Sequence, residues 1–285
     1  MTTMLGKKID FAVIISVKNA NPNGDPLNGN RPRQDYDGYG EISDVAIKRK
    51  IRNRLQDMGE KIFVQSNDKN TDGFDSLKSR AEAVDALCEK EITADKFSKI
   101  ACNEWMDVRS FGQVFALKKM KGHNSGVSVG VRGPVSIHAA KSLEPINMTS
   151  TQITKSVNSE PGATKGSDTM GMKHRVDFGV YTIYGSINTQ LAEKTGFTMD
   201  DANKIKESLR TLFENDTSSA RPDGSMEVNK VIWWEHKTKL GQYSSAKVHR
   251  SLQIKAQTDF PRIFEDYQIE VNSLEDLKVE VIDGQ

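Results

Sequence analysis

An apolar run near the N-terminus constrains the fold more than any other stretch of this sequence. The run, Ile9 to Val17, reads Ile-Asp-Phe-Ala-Val-Ile-Ile-Ser-Val, and its centre is apolar at both odd and even positions. A strand that is apolar on both faces belongs inside a sheet that other elements cover. The run therefore predicts a central strand with packing on at least one side.

The loop after this strand, Asn19 to Gln34, is rich in Asn, Gly and Pro. Proline cannot donate a ladder hydrogen bond, and Gly and Asn tolerate a positive φ, so the composition predicts a structured loop. Turn chemistry accounts for much of it. The alternative is a loop whose Asn19, Asn21, Arg31 and Arg33 approach the backbone of a ligand.

A basic amphipathic helix is predicted next. Ser43 is a suitable N-cap residue, and Ile47, Ile51, Leu55 and Met58 recur at helical spacing. Five cations fall within seven positions: Lys48, Arg49, Lys50, Arg52 and Arg54. Charged helix flanks are often merely solvated. Their position directly after a turn-rich loop favours RNA binding, because fixed cations displace the counterions condensed on nucleic acid.

The composition of the 285 residues limits the classes of protein. No apolar run approaches the roughly 18 to 20 residues that span a bilayer, and no signal peptide is recognisable, so we expect a cytoplasmic protein with no membrane contact. The two cysteines, Cys88 and Cys102, form no CxxC pair and are expected to be core residues in a reducing compartment. Asp68 begins a partial calcium-loop pattern that lacks the closing Glu, so no metal or cofactor is expected.

The charge is distributed unevenly although the net charge is only +1. Residues 259–285 contain eight acidic and two basic residues, a net of −6, which leaves +7 on residues 1–258. This asymmetry fits either a partner surface or a solvated acidic tail.

The remaining strong segments complete a recognisable order. Residues 60–105 read as an insertion with a short strand, Ile62 to Val64, followed by helical pieces, and Lys141 to His174 reads as a long polar loop. Without these two segments the order is strand, helix, strand, strand, helix, strand. The later elements are Val127–Val131 with Val135–Ala139, Val176–Asn188, a helix capped by Thr198, and Val228–Glu235. This order predicts an α+β fold with the split βαβ arrangement of ferredoxin-like and RNA-recognition domains.

Several short motifs occur together and in a specific order. They are Asn19-Ala-Asn-Pro-Asn-Gly-Asp-Pro26, Ile42-Ser-Asp-Val45 before the basic helix, Asp107-Val-Arg-Ser-Phe-Gly112, Gly133-Pro-Val135 and His174-Arg-Val-Asp-Phe-Gly179. With these motifs the chain resembles the backbone subunit of the type I-C CRISPR surveillance complex, Cascade, in the RAMP superfamily. The resemblance covers nearly the whole sequence.

The resemblance implies a hand-shaped protein with an RNA-recognition-like palm, a helical fingers insertion and an extended thumb loop. The palm would comprise residues 1–59, 107–140 and 175–285, the fingers residues 60–106, and the thumb residues 141–174. It also implies a set of RNA-binding residues without any catalytic residue: Asn19, Asn21, Arg31, Lys48, Arg49, Arg52, Arg109, Gly112, Gln113, Gly133, Lys155, Met170, Met172, Lys173 and Arg175. Met170 and Met172 would lie near a thumb tip that displaces guide bases.

The implied partners are the CRISPR guide RNA, the target DNA strand that pairs with it, and further copies of the chain in a helical filament. The complex's guide-processing endonuclease subunit, its large subunit and a recruited helicase-nuclease complete the set. The implied function is not enzymatic.

Two alternatives remain open. Related type III backbone subunits cleave RNA with a loop aspartate, so Asp25, Asp35 and Asp37 are candidates for a metal-dependent ribonuclease. The five histidines are scattered, and no paired base or nucleophile accompanies these aspartates. The second alternative is a stand-alone, monomeric single-stranded RNA-binding protein. Its central strand would be expected to carry stacking aromatics, and Ile9 to Val17 offers only Phe11.

Overall fold

The computed structural model describes residues 3–123, 126–154 and 170–285 of a mixed α/β chain. Its strands are β1 (Ile9–Ala20), β2 (Gly24–Asp25), β3 (Arg31–Pro32), β4 (Tyr39–Ile42), β5 (Gly112–Leu117), β6 (Val127–Arg132), β7 (Val135–Ile137), β8 (Ala140–Pro145), β9 (Met148–Thr154), β10 (Met170–Ile187), β11 (Met226–Glu235), β12 (Leu252–Ala256), β13 (Tyr267–Val271) and β14 (Lys278–Asp283). Its helices are α1 (Asp44–Asp57), α2 (Leu77–Glu82), α3 (Ala94–Glu104), α4 (Met106–Phe111), α5 (Thr189–Thr195), α6 (Met199–Arg210) and α7 (Ser245–His249). None of the helices in these ranges is long and apolar enough to span a bilayer.

A large antiparallel sheet of eight strands organises the chain. Its order is β14-β11-β1-β10-β8-β4, and β7 and β9 also pair with β10. β1 pairs with β10 on one side and with β11 on the other. The prediction that Ile9 to Val17 forms a central strand is therefore confirmed.

Both faces of this sheet are covered. Alternate β1 residues such as Phe11 and Val13 pack toward the helices, while Ala12 and Ile14 pack toward α7 and the β12–β13 hairpin. The adjacent Trp233 and Trp234 point to opposite faces, and each is 1% exposed. The period of two in a strand accounts for this division. Both tryptophans are core residues.

The two helices of the packing layer begin at the residues that the sequence indicates. The Ser43 hydroxyl accepts a hydrogen bond from the backbone N–H of Ala46 at the start of α1. Thr198 and Asp201 form a capping box at the start of α6. Ile47, Ile51 and Leu55 of α1 are buried in the core that α6 also lines, so the predicted apolar stripe is confirmed.

A second hydrophobic cluster joins residues 63–108 to the β5–β6 hairpin. Phe63 packs against Trp105 and Phe115, and Cys102 is buried among them. Ile62 to Val64 does not form the predicted strand, because its backbone is held by the Asp107 carboxylate, which accepts from the N–H groups of Phe63 and Val64. Residues Met106–Phe111 form the short helix α4.

The prediction of a polar loop at residues 141–174 is wrong for the part of this range that the structure describes. Residues 140–145 and 148–154 are strands β8 and β9, and residues 170–174 begin β10. β9 pairs with β10 from Met148↔Val176 to Thr154↔Met170. This two-stranded extension, which we call the arm, is held by backbone hydrogen bonds. Its polar, exposed side chains gave no apolar alternation for the sequence prediction to detect.

Candidate nucleic-acid interface

The loop from Asn19 to Gln34, called here the interface loop, is held in place by its own asparagines. The Asn21 side chain is 4% exposed, and its Nδ2 donates to the Asn30 carbonyl oxygen at 2.7 Å. The Asn23 Oδ1 accepts hydrogen bonds at 2.9 Å from both the backbone N–H and the hydroxyl of Ser43. These contacts tie the loop to the start of α1. Asn21 is therefore a scaffold residue of the loop, whereas Asn19 is exposed and has a φ of 55°.

A cleft of about 290 Å³ lies between the interface loop and α1. Asn23 and Gly24 line one side, Arg49 and Asn53 line the helix side, and Arg221 completes the cationic wall. Asp68 and Asp216 also line it, together with Lys50 and Lys69. The Asn53 Oδ1 is buried and has no hydrogen-bond partner in the described part of the chain. The cleft thus presents cations, the amide oxygen of Asn53 and open volume beside the loop, together with the two carboxylates of Asp68 and Asp216.

Arg49 is an α1 cation that faces this cleft. Among the described residues, no carboxylate oxygen lies within 4.0 Å of its guanidinium nitrogens. Its Nη1 donates to the Val64 carbonyl oxygen at 2.5 Å. Burial, together with repulsion from the Arg52 cation, lowers the pKa of Arg49. An anion in the cleft would relieve that repulsion, and a phosphate offers the planar guanidinium two acceptors at once.

The other α1 cations have partners within the chain. Lys48 pairs with Asp44 at 2.9 Å, and the Arg52 Nε donates to Asp107 at 2.9 Å. Arg52 also stacks over the Phe111 ring, with 5.1 Å to the ring centroid. The structure places Lys48 and Arg52 on the predicted flank, but in contact with carboxylates of the same chain.

Arg109 also forms an ion pair within the chain. Its guanidinium binds both carboxylate oxygens of Asp201, the closest contact being 2.7 Å, and Asp201 caps α6. Although burial raises the pKa of Asp201, the hydrogen bonds and charge of Arg109 lower it below its usual value. Arg109 therefore connects α4 to α6 within the fold.

A second group of cations lies where β1 ends and the arm begins. Ala20 of β1 pairs with Val176 of β10, so Lys173 and Arg175 lie just beyond the end of β1. Arg31 lies in β3, which packs beside β10. Arg31 and Lys173 are exposed and have no carboxylate within 4.0 Å in the described part of the chain, and Arg175 is 3.9 Å from Asp177. These side chains surround the second flank of the interface loop.

The glycines near residue 112 have a structural explanation. Gly112 has a φ of 80°, and a Cβ there would lie 2.3 Å from the Val131 carbonyl oxygen. A Cβ on Gly133 would lie 2.3 Å from the Ser110 carbonyl oxygen. Backbone atoms of the same chain approach both glycines closely, which residues with a Cβ would not permit. Gln113 is half-buried, and its Nε2 donates to the Val114 carbonyl oxygen at 3.0 Å.

Two methionines lie at the far end of the described arm. Met170 is 58% exposed and Met172 is 54% exposed, and they pair in register with Thr154 and Gln152. Since strand residues two apart share a face, both thioethers lie on the same side of the arm. Lys155, the remaining predicted contact, lies outside the described residues.

Asp25 and Asp35, two of the three aspartates considered for catalysis, are held by contacts within the chain. Asp25 accepts from the backbone N–H of Leu27 and lies 3.6 Å from Arg33. Asp35 accepts from the N–H groups of Tyr39 and Asp37 and pairs with Lys141 at 2.6 Å, a contact that lowers its pKa. In the described ranges no group of His, Cys, Asp and Glu side chains is arranged to hold a metal ion.

The sequence prediction missed cations that the fold brings to the same region. Lys18 is exposed at the end of β1, directly before Asn19. Lys69 and Arg221 reach the cleft from distant parts of the sequence. Adjacency to a predicted contact was a usable signal for Lys18. No local signal marks Arg221, because only the tertiary fold places it beside α1.

Comparison with known proteins agrees with this architecture. The family model described as "CRISPR-associated protein Cas7" matches residues 7–272. A protein named "CRISPR-associated protein Cas7" from Haloferax volcanii is 27% identical over 239 residues, which are 77% of this chain and 67% of that protein.

A chain of a solved structure titled "CRISPR RNA-guided surveillance complex, pre-nicking" has the same overall fold. It superposes with a TM-score of 0.52 at 16% identity, covering 80% of this chain and 78% of that one. Because the family model spans nearly the whole length, this chain belongs to the Cas7 family of CRISPR-associated proteins.

Proposed function

We propose that this chain is the repeated backbone subunit of a type I-C surveillance complex, and that it binds CRISPR guide RNA along the interface loop. The observation that carries the proposal is the placement of cations that have no carboxylate within 4.0 Å among the described residues. Arg49 faces the cleft on one flank of the loop, and Arg31, Lys173 and Lys18 surround the other flank. Asn19, Arg175 and the cleft residues complete the interface.

The proposed mechanism is physical and not chemical. Fixed cations bind guide phosphates without regard to base identity, because condensed counterions are released into solution. Copies of the chain polymerise along one guide, and the exposed bases pair with a target DNA strand. Exposed Met170 and Met172 would insert between bases near the arm's end and divide the guide into segments. Lys48, Arg52, Arg109, Gly112, Gln113 and Gly133 support this surface through internal contacts.

The strand order supports a ferredoxin-like palm. β11, β1 and β10 lie side by side, β7 and β8 follow β10, and α1 and α6 cover one face. This arrangement is the one expected of a split βαβ domain. We propose residues 1–59, 107–140 and 175–285 as the palm, residues 60–106 as the fingers and residues 141–174 as the thumb. In this division the fingers share their core with β5 and β6.

The proposed subunit acts without catalysis and in the cytoplasm. Its partners would be the guide RNA, the target DNA strand, neighbouring copies, the guide-processing endonuclease subunit, the large subunit and a recruited helicase-nuclease. The internal contacts of Asp25 and Asp35 support a structural role for these aspartates.

The central test compares unpaired with paired cations. We expect Arg31→Ala/Arg49→Ala/Lys173→Ala to weaken binding of guide RNA at least about tenfold, equally for unrelated guide sequences, and to reduce the slope of log affinity against log salt by about 2. The matched control is Lys204→Ala/Arg210→Ala/Lys237→Ala, which removes the same charge from side chains that already pair with carboxylates.

Fluorescence anisotropy with labelled guide RNA measures both quantities, and thermal unfolding verifies that each variant is folded. Equal affinities for the two triple variants would contradict the proposed interface. Sizing with and without ribonuclease tests assembly separately. A chain that stays monomeric when guide RNA is added would support the stand-alone RNA-binding alternative.

A further inference from the structure

Two methionines on the arm are more exposed than the other methionines that the structure describes. Met170 is 58% exposed and Met172 is 54% exposed, whereas Met106 and Met120 lie in hydrophobic clusters and are 0% and 1% exposed. Met4, the next most exposed, reaches 45%. Peroxides oxidise the thioether sulfur of methionine to a sulfoxide, and exposure decides which side chain meets the oxidant first. The two arm methionines are therefore the first targets expected for a limited dose of oxidant.

The two thioethers lie on one face of the arm, and the arm's cations lie on the other. Met170 and Met172 share their face with Gln152, which pairs in register with Met172. Lys173 and Arg175 occupy the alternate positions of the same strand, so their side chains leave the opposite face. A chemical change at the sulfur atoms therefore alters the apolar face and leaves the cations in place.

Oxidation changes the property on which insertion between bases depends. A thioether side chain is apolar and flexible, so it fills a gap between stacked bases without losing strong hydrogen bonds to water. A sulfoxide oxygen is a polar acceptor, and the faces of stacked bases offer it no donor. Since burying a polar group without a hydrogen-bond partner is unfavourable, an oxidised side chain favours water over the stack.

The arm itself holds a hydrogen-bond donor beside one of these sulfur atoms. Gln152 Nε2 donates to Met170 Sδ. A thioether sulfur is a weak acceptor, so this contact contributes little while the sulfur is reduced. A sulfoxide oxygen at the same position is a stronger acceptor for the same amide, and the hydrogen bond would hold the oxidised side chain against the arm. Both effects of oxidation thus favour the free arm over the arm inserted into RNA.

We propose that Met170 and Met172 form a reversible oxidation site, and that their conversion to sulfoxides weakens binding of the chain to guide RNA. Each sulfur takes one oxygen atom from a peroxide: the O–O bond breaks, an S=O bond forms, the sulfur loses two electrons, and hydrogen peroxide leaves as water. A methionine sulfoxide reductase reverses the step, with a dithiol as reductant and water as product. The inference rests on the proposed guide binding, in which these two side chains insert between bases.

The experiment treats the full chain, free of nucleic acid, with hydrogen peroxide, which catalase then removes. Peptide mass spectrometry locates the added oxygen atoms, and fluorescence anisotropy measures the affinity for labelled guide RNA. We expect Met170 and Met172 to be oxidised before the core methionines, and the affinity to fall about tenfold because a polar group is left unsatisfied in the complex. The slope of log affinity against log salt is expected to stay the same, since the phosphate contacts are unchanged. Treatment with the reductase is expected to restore the affinity.

Three variants assign the effect to these sulfur atoms. Met170→Leu/Met172→Leu has no sulfur on the arm face, so its own affinity before peroxide is expected to equal its affinity after peroxide. Met170→Gln/Met172→Gln carries a permanent polar group of similar length, and it is expected to bind RNA as weakly as the oxidised parent without any peroxide. Met4→Leu is the control for an exposed thioether elsewhere, because Met4 precedes the start of β1 whereas the arm lies beyond its end. This control is expected to lose affinity on oxidation as the parent does.

Unchanged RNA affinity after both thioethers are oxidised would overturn the inference, and so would a peroxide-induced loss in the Leu variant equal to that of the parent. Thermal unfolding of the oxidised parent serves as the folding control and is expected to be unchanged, because both side chains are exposed. Failure of the proposed function is read from a sample that never meets peroxide. If the Gln variant binds guide RNA like the parent, insertion between bases is itself wrong, whereas a weak Gln variant with a peroxide-insensitive parent refutes the oxidation site alone.

Discussion

Lys50 is the most enclosed cation of α1, with 6% of its surface exposed. Its ammonium pairs with Asp216, which also accepts from Arg221 at 3.0 Å. Burial lowers the pKa of Lys50 to about 8, against the opposing attraction of Asp216. Between pH 8 and 10.5, the usual pKa of a free lysine, the unfolded chain therefore binds a proton that the folded chain does not, and folding stability rises with pH in this window.

Replacing Lys50 by Met removes this titration while Asp216 keeps its contact with Arg221. We expect Lys50→Met to be more stable than the parent near neutral pH, by about 1 to 3 kcal/mol, because a buried charge is replaced by an apolar side chain of similar volume. The advantage is expected to shrink as the pH rises from about 8 to about 10. Urea unfolding at several pH values measures it, and a stability gap that stays constant with pH would contradict the assignment.

Single residues also show where sequence-based prediction stops. The apolar stripe of α1 can be predicted from the sequence because its members are three or four positions apart. The Ser43 cap can be predicted too, because it depends only on neighbouring residues. Whether a cation forms an ion pair depends on a carboxylate that is distant in the sequence. Arg52 pairs with Asp107, Arg109 with Asp201, and Lys50 with Asp216. No local pattern contains those pairs. The sequence therefore predicted a basic helix correctly, but not which of its charges pair with carboxylates of the same chain.

At the scale of elements, the ends of the β5–β6 hairpin approach α4 at two glycines. Gly112 and Gly133 pack backbone against backbone, since a Cβ on Gly133 would lie 2.5 Å from the Gly112 nitrogen. The close approach at this point is between segments of the same chain: the end of α4, the start of β5 and the residue after β6. Apolar alternation made β6 predictable, and a run that is apolar on both faces made the central strand predictable. The arm strands, whose side chains are mostly exposed on both faces, show neither pattern and were predicted as a loop.

Alanine substitution separates a packing role of these glycines from an RNA-contact role. We expect Gly133→Ala to destabilise the fold by about 1 to 3 kcal/mol, because the new methyl group meets backbone atoms that cannot move aside. Gly130→Ala is the matched control, since a Cβ there meets nothing within 4 Å, and it should be neutral or slightly stabilising. Thermal unfolding measures both changes. Loss of RNA affinity in Gly133→Ala with an unchanged unfolding temperature would instead assign the glycine to the RNA interface.

At the scale of the whole molecule, the acidic C-terminal segment is partly neutralised by its own chain. Asp276 pairs with Lys237, Glu280 with Lys206, and Asp283 with Lys230. β14 joins the sheet edge beside β11, so these pairs hold the last strand in place. Glu265, Glu270 and Glu275 are exposed and have no cation within 4.0 Å in the described part of the chain. Unlike the paired set, these three glutamates have charge to offer a partner.

We propose that these three glutamates meet a basic surface of the neighbouring copy when copies assemble on RNA. Glu265→Lys/Glu270→Lys/Glu275→Lys is then expected to reduce the mass of the RNA-bound assembly, as measured by light scattering, while leaving the unfolding temperature of the free chain nearly unchanged, because exposed charges contribute little to stability. The matched variant Asp276→Lys/Glu280→Lys/Asp283→Lys should lower the unfolding temperature, since it places like charges beside Lys237, Lys206 and Lys230. If the first variant assembles on guide RNA to the same mass as the parent, the acidic segment takes no part in contacts between copies, and its charge acts only within the chain.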